Sequence, residues 1–252
     1  MTDHLYILTG ASRGLGAAIT GQLIAPTHAL LCIARHNPPE LQAKAEAGGA
    51  RIEQWNTDLG DPVPVAARLE VWLAAFDPAA VASATLINNA AMLTRVGPLE
   101  SCDHAEISAS MRVSLEAPLL LTAAFLRATR EWRAPRRILN ISSGLGRRAL
   151  AGTAPYCAAK AGMDHYTRAV ALDEANRKNG ARIVSLAPGV IDTDMQVHLR
   201  AADPQAFPDR ATFVGLKEGG KLSSSADAAT RVLAYLNRPD FGANPVADVR
   251  DA

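Results

Sequence analysis

The chain has 252 residues, 48% of them hydrophobic and 20% charged, with a formal net charge of +1. That length suits one α/β domain with a core large enough to need no staples, and the near-zero charge favours neither nucleic acid nor an anionic membrane as partner. The three cysteines (Cys32, Cys102, Cys157) lack metal-type spacing, the six histidines are dispersed and no export signal opens the chain, so a cytoplasmic protein without a metal site is expected.

In chain order, short β-rich runs alternate with longer helical patterns, the signature of βαβ units on a parallel sheet. Leu5–Thr9 is a short apolar strand, followed by glycines and a helix to about Ala25. Ala29–Ala34 reads as a second, buried strand and Arg51–Trp55 as a third. Leu69, Trp72, Leu73 and Phe76 recur at spacings of three and four, on one helical face. Thr85–Asn88 is the fourth strand, and a long helical region covers Asp103–Trp132. Apolar runs such as Leu119–Leu121 are too short to span a bilayer. Arg137–Ser142 is the fifth strand, Pro155–Asn179 a long helix and Arg182–Leu186 the sixth strand. From Asp192 to Leu222 proline, glycine and scattered apolar residues show no firm period, which predicts a loop-rich lid. A helix near Ala226–Asn237 and a strand near Pro245–Val249 close the chain. Seven strands with intervening helices predict a single-domain Rossmann-type doubly wound parallel sheet, helices on both faces. Ligands of such sheets bind outside the strand carboxyl ends, at the switch point.

The first strand runs into Thr9-Gly10-Ala11-Ser12-Arg13-Gly14-Leu15-Gly16. Glycines between a strand and a helix permit a tight turn and let the backbone approach a pyrophosphate, which the helix N-terminus then attracts. Folds that prefer NAD usually carry an acid at the end of strand two. Here that place reads Ile33-Ala34-Arg35-His36, and no acid occurs before Glu40. Arg35, with Arg13 in the loop, can instead meet a 2′-phosphate, so NADP(H) is the expected cofactor.

Tyr156 and Lys160 are four apart in a helical pattern and share a face. An ammonium beside a phenol favours the phenolate, so Tyr156 is expected to have a lowered pKa and to exchange a proton near neutral pH. Ser143, thirteen residues before Tyr156, sits at the carboxyl end of strand five, where its hydroxyl can bond a substrate oxygen as charge develops. Cys157 is expected to pack rather than react. Asp192 and Asp194 are expected to cap a helix of the lid.

Taken together, these motifs resemble the classical short-chain dehydrogenase/reductase family over nearly the whole chain. Beyond the glycine loop, the matching stretches are Asp58-Leu59, Asn88-Asn-Ala-Ala91, Asn140-Ile-Ser-Ser143, Tyr156-Cys-Ala-Ala-Lys160 and Pro188-Gly-Val-Ile-Asp-Thr193. Tyr156-Cys157 and Pro188–Gln196 carry a narrower likeness to the branch containing sepiapterin reductase and bacterial benzil reductase. The resemblance implies that Gly10, Ser12, Arg13, Gly14, Leu15 and Gly16 hold the cofactor phosphates. It implies that Asp58 and Leu59 flank the adenine and that Asn88 and Ala90 line the ribose side. Tyr156 and Lys160 bond the nicotinamide ribose besides doing chemistry, and Pro188, Gly189, Ile191 and Thr193 hold the carboxamide end. Two positions depart from the pattern: Ala91 replaces the usual glycine, and Ser114 stands where the family has a catalytic asparagine. The family asparagine acts partly through its backbone carbonyl, which any residue carries. Pro118, four residues on, has no N–H to occupy that carbonyl, so a kink that frees it is expected.

The resemblance implies reduction of a ketone, with Ser143, Tyr156, Lys160 and Ser114 as the catalytic set. Met92, Leu93, Leu145, Leu150, Met195, Leu199, Phe207 and Phe213 are expected to line an apolar pocket for a bulky ketone or vicinal diketone. A 3-oxoacyl carrier substrate is the alternative within enzymes. An NADPH-binding sensor with weak turnover is the alternative outside them. The family pairs the helices matching Asp103–Trp132 and Pro155–Asn179 across a two-fold axis, which predicts a homodimer or homotetramer. Light scattering at micromolar concentration should therefore return at least twice the monomer mass, and a monomer mass would contradict the expectation.

Overall fold

The computed structural model describes residues 3–251. Seven strands run in chain order: β1 (Asp3–Thr9), β2 (His28–Ala34), β3 (Arg51–Asn56), β4 (Val81–Asn88), β5 (Arg136–Ile141), β6 (Arg182–Ala187) and β7 (Val246–Asp248). They form one sheet in the order β3-β2-β1-β4-β5-β6-β7, and every neighbouring pair is parallel. Successive residues of a strand point to opposite faces, so each strand feeds two layers. Leu8, Cys32, Ile87, Leu139 and Val184 face α1 (Gly14–Leu23), α2 (Glu40–Ala47) and, late in the chain, α9 (Ser225–Leu236). Leu5, Ile7, Leu31, Ile33, Leu86 and Ile138 face α3 (Pro62–Ala74) and α5 (Ala117–Ala128). The long helix α6 (Ala154–Ala175) joins the second layer through Tyr166, Val170 and Ala171.

The expected long helix over Asp103–Trp132 is broken into α4 (His104–Met111), a π turn at Arg112–Glu116, and α5. In the π turn the Ala117 N–H reaches the Arg112 carbonyl, five residues back. This widened turn, one residue larger per hydrogen-bonded ring than an α-helical one, ends just before Pro118 in the first turn of α5. As one run, His104–Ala128 is long and apolar enough to cross a bilayer, contrary to the reading of its short apolar runs. It instead lays Ala117, Leu121, Ala124 and Phe125 into the core.

The region 192–222 also differs from expectation. It contains α7 (Asp194–Ala201) and α8 (Arg210–Glu218). Only Gln196 and Leu199 of α7 are buried and no residue of α8 is. So few inward positions leave no period to detect. The helix α2 carries no clear period for the same reason, with Leu41 and Ala45 as its buried residues. β4 begins at Val81, before its expected start; its opening residues Ala82-Ser83-Ala84 have weak strand propensity and so give no signal in the sequence.

The strand order places the site. The chain moves outward from β1 to β3, then returns to pair β4 on the other side of β1. Loops leaving β1 and β4 therefore diverge, and a crevice opens at their carboxyl ends.

Candidate active site

A cleft of about 1540 Å³ occupies that crevice. Its floor is the turn from β1 into α1. Gly10 and Gly14 adopt positive φ (67° and 55°), a conformation costly for other residues. Gly16 is required for a different reason, since a Cβ there would lie 2.0 Å from the Gly10 carbonyl oxygen. Arg13, at the N-cap of α1, gives no side-chain capping bond. The first N–H groups of α1 therefore face the cleft without a protein cap, the arrangement that receives a phosphate. Asn89 holds the loop in shape: its amide donates to the Thr9 and Gly10 carbonyls at 3.0 and 3.1 Å. The Thr9 hydroxyl in turn accepts the Asn89 and Ala90 N–H groups, both at 3.0 Å. An uncapped helix end, a cradle that a Cβ would fill and a long cleft suit a dinucleotide.

Gly10, Ser12, Arg13, Gly14, Leu15, Gly16, Arg35, Asp58, Leu59 and Ala90 line one half of the cleft. Pro188, Gly189, Ile191 and Thr193, after β6, line the other half with Ser143, Tyr156 and Lys160. Asn88 does not reach the cleft. Its side chain is buried and donates to Asn140 Oδ1 at 2.9 Å, tying β4 to β5. Asn89 takes the cleft position instead. Asn88 ends β4 and turns into the sheet, whereas Asn89, just past the strand, reaches the glycine loop.

Arg13 and Asp194 pair across the cleft mouth at 2.7 Å, and Lys217 and Asp192 pair at 2.5 Å. These aspartates therefore hold the lid rather than cap it; α7 has no side-chain cap. Among the described residues Arg35 makes no ion pair or side-chain hydrogen bond, and it stands exposed at the cleft edge.

The catalytic residues converge from three elements. Ser143 follows β5, and its hydroxyl accepts the Leu145 N–H at 3.1 Å, which leaves its proton for another acceptor. Tyr156 and Lys160 lie on consecutive turns of α6. The Lys160 ammonium donates to the Ile141 carbonyl at 2.7 Å and stands 5.6 Å from the Tyr156 ring centre. The expected lowering of the tyrosine pKa is not found. Burial pushes Tyr156 up to about 12, with a hydrogen bond from Ser143 pulling the other way. Burial likewise pushes Lys160 down to about 8, opposed by the charge of Asp164. For both groups the largest cause is desolvation, which disfavours the charged form of each.

Ser114 is buried behind the cleft. Its hydroxyl accepts the Met92 N–H at 2.9 Å and so fixes the loop that follows β4. The apolar end of the cleft is lined by Met92, Leu93, Leu145, Met195, Leu199 and Phe213. Leu150 and Phe207 do not reach it; they pack behind this wall with Val96. Cys157 faces Thr153, its Sγ 3.3 Å from the hydroxyl. Among the described residues no group of His, Cys, Asp or Glu could hold a metal ion.

A sequence model of the short chain dehydrogenase family matches residues 4–204. The chain is 33% identical to benzil reductase ((S)-benzoin forming) of Bacillus cereus over 93% of its length and 94% of the relative's. It is 31% identical to sepiapterin reductase of Meriones unguiculatus, covering 97% of this chain and 95% of that one. Among solved structures, a 3-oxoacyl-[acyl-carrier protein] reductase from Brucella melitensis in complex with NAD superposes with a TM-score of 0.80 at 22% identity, over 99% of this chain and 96% of that one. At that identity the likeness concerns the fold.

Proposed function

The chain belongs to the short-chain dehydrogenase/reductase family, whose members work with nicotinamide cofactors, and from that premise we propose that it is an NADPH-dependent reductase of bulky apolar ketones or vicinal diketones. The observation that carries this reading is the position of Ser143, Tyr156 and Lys160 where the dinucleotide cleft meets its apolar end. The likeness to benzil and sepiapterin reductases supports the substrate class.

The bound cofactor supplies the hydride. The protein supplies the rest. Burial keeps Tyr156 protonated through neutral pH, the form a proton donor to a carbonyl oxygen must have. Ser143 lies beside that phenol and can donate to the same oxygen as negative charge develops on it. The ammonium of Lys160 eases formation of the phenolate left behind, an effect that a dry site strengthens. The wall of Met92, Leu93, Met195 and Phe213 keeps water from the reacting carbonyl.

Among the described residues Arg35 has no partner, and its place in the cleft lining supports a 2′-phosphate as its ligand. Arg13 is engaged with Asp194, but both side chains are more than 70% exposed. Such a surface pair is worth about 0–1 kcal/mol, less than the roughly 1.5–3 kcal/mol of a charge-assisted phosphate contact. Arg13 can therefore exchange one anion for the other.

Two measurements test this reading. NADPH consumption should accelerate with aryl ketones and vicinal diketones, and should do so more than with a 3-oxoacyl thioester. A protein that binds NADPH but turns over none of the panel would be a sensor, not a reductase. Dissociation constants should favour NADPH over NADH by about ten-fold or more, and Arg35→Ala should remove most of that gap. Equal constants in the parent protein would refute the assignment of NADPH.

A further inference from the structure

Asp164 lies on α6 one turn beyond Lys160 and two beyond Tyr156. It is 2% exposed, in a chain whose carboxylates mostly face solvent. One oxygen, Oδ1, accepts two serine hydroxyls at 2.6 Å, from Ser142 at the end of β5 and from Ser185 in β6. The other, Oδ2, has no hydrogen-bond partner among the described residues and lies 3.5 Å from Arg147 Nε. Gly146 makes room for it, since a Cβ there would stand 2.7 Å from Oδ2. Burying a carboxylate is expensive without full compensation. Two hydroxyls and a partly exposed guanidinium compensate this one incompletely, so packing alone gives no reason for an acid here.

We propose that Asp164 is a positioning residue: it clamps the strand end that carries Ser143 onto the helix that carries Tyr156 and Lys160, and it supplies a buried negative charge one turn along that helix from the Lys160 ammonium. This inference rests on the reductase reading for its consequence in turnover, but its electrostatic half stands on the protein alone.

The clamp follows from connectivity. Ser142 is the neighbour of Ser143, and its bond to Asp164 ties β5 to α6 directly beside the reacting hydroxyl. The charge effect follows from the surroundings of Lys160. Its ammonium meets a neutral carbonyl, that of Ile141, and a methionine sulfur at 4.0 Å, neither of which offsets the loss of water. Asp164 is the anion that raises its proton affinity against burial. The other charged groups near α6 are committed elsewhere. Arg147, from the turn after Ser143, pairs with Asp164 at 3.5 Å and also donates to the Ala247 carbonyl. Arg112, Glu116 and Arg127 on the π turn and α5 are exposed. Glu106 of α4 accepts from the Arg95 N–H, Arg182 of β6 donates to Pro239, and Asp248 of β7 is paired with Arg250.

The consequence is a proton affinity that two substitutions shift in opposite directions. Asp164→Asn keeps the size and an oxygen for the serines but removes the charge. Arg147→Gln removes the cation that draws on Asp164. The Lys160 13Cε resonance, assigned by its absence in Lys160→Arg, can be titrated by NMR in the protein without cofactor. Its midpoint, about 8 in the parent, should fall by about one unit or more in Asp164→Asn and rise in Arg147→Gln. The alkaline limb of kcat/KM for NADPH, which reports the free enzyme, should move the same way in each. A merely structural acid would lower activity at every pH and leave both midpoints in place, and that outcome would overturn the proposal. Should Asp164→Asn fail to fold, Asp164→Ser takes its place, and an unshifted midpoint in that variant overturns the proposal alone. If the parent reduces no ketone, the reductase reading fails, while the NMR titration still decides this one.

Discussion

Tyr156→Phe is expected to slow carbonyl reduction by on the order of 10²–10⁴-fold, the usual worth of a positioned general acid. The substitution keeps the ring and its packing, so the loss is chemical. In the parent, burial holds the phenol protonated, and nothing else in the trio can replace it. The Ser143 hydroxyl is a far weaker acid, and the Lys160 ammonium is held by the Ile141 carbonyl at 2.7 Å. NADPH affinity should change little, because the phosphate cradle lies on β1 and α1, not on α6. Steady-state kinetics with a reducible diketone, alongside a fluorescence titration of NADPH, separates the two effects. Near-normal turnover in the variant would remove Tyr156 from the reaction.

Gly16→Ala carries the second large effect. The new Cβ would meet the Gly10 carbonyl oxygen at 2.0 Å and the Asn89 amide at 2.6 Å. Backbone cannot rotate away as a flexible side chain can, so the turn must open. Overpacking usually costs about 1–3 kcal/mol, and a clash against main chain belongs at the upper end. Expressed as cofactor affinity, about 3 kcal/mol is roughly a 100-fold rise in Kd for NADPH. Gly21, on the same helix, has open space where a Cβ would go. Gly21→Ala should leave Kd unchanged and stabilise the fold by about 0.5–1 kcal/mol. Calorimetric titration and thermal melts of the two variants test the contrast; equal affinities would contradict the role given to Gly16.

Much of this fold is written in local patterns. The buried runs of β1, β2 and β5 and the glycine turn before α1 have apolar or steric signals within a few residues of each other. Elements with little buried surface have no such signal. Both α7 and α8 lie on the surface, and the long-range pairs Arg13–Asp194 and Lys217–Asp192 fasten this region. Neither pair can be read from spacing. The trio of Ser143, Tyr156 and Lys160 was legible because strand ends and helix turns carry it. Its electrostatics were not, because burial is a property of the whole fold. An ammonium four residues from a phenol suggests a lowered pKa, yet desolvation raises Tyr156 and lowers Lys160. Asp164 stood in plain sight at four residues past Lys160, on the same helical face. Its meaning depends on Ser142 and Ser185, which only the sheet brings together. Asn88 and Asn89 show the same limit on a smaller scale. Adjacent asparagines look alike in sequence, yet Asn88 ends the strand and turns inward while Asn89, just past it, holds the glycine turn.

The most direct test of the central claim uses NADPH carrying two deuterons at nicotinamide C4. Incubated with the protein and a vicinal diketone, it should give a hydroxyketone whose mass is raised by one deuterium, bound at the new carbinol carbon. Formation of the alcohol without the label, or no alcohol from any ketone while NADPH binds normally, would contradict the account.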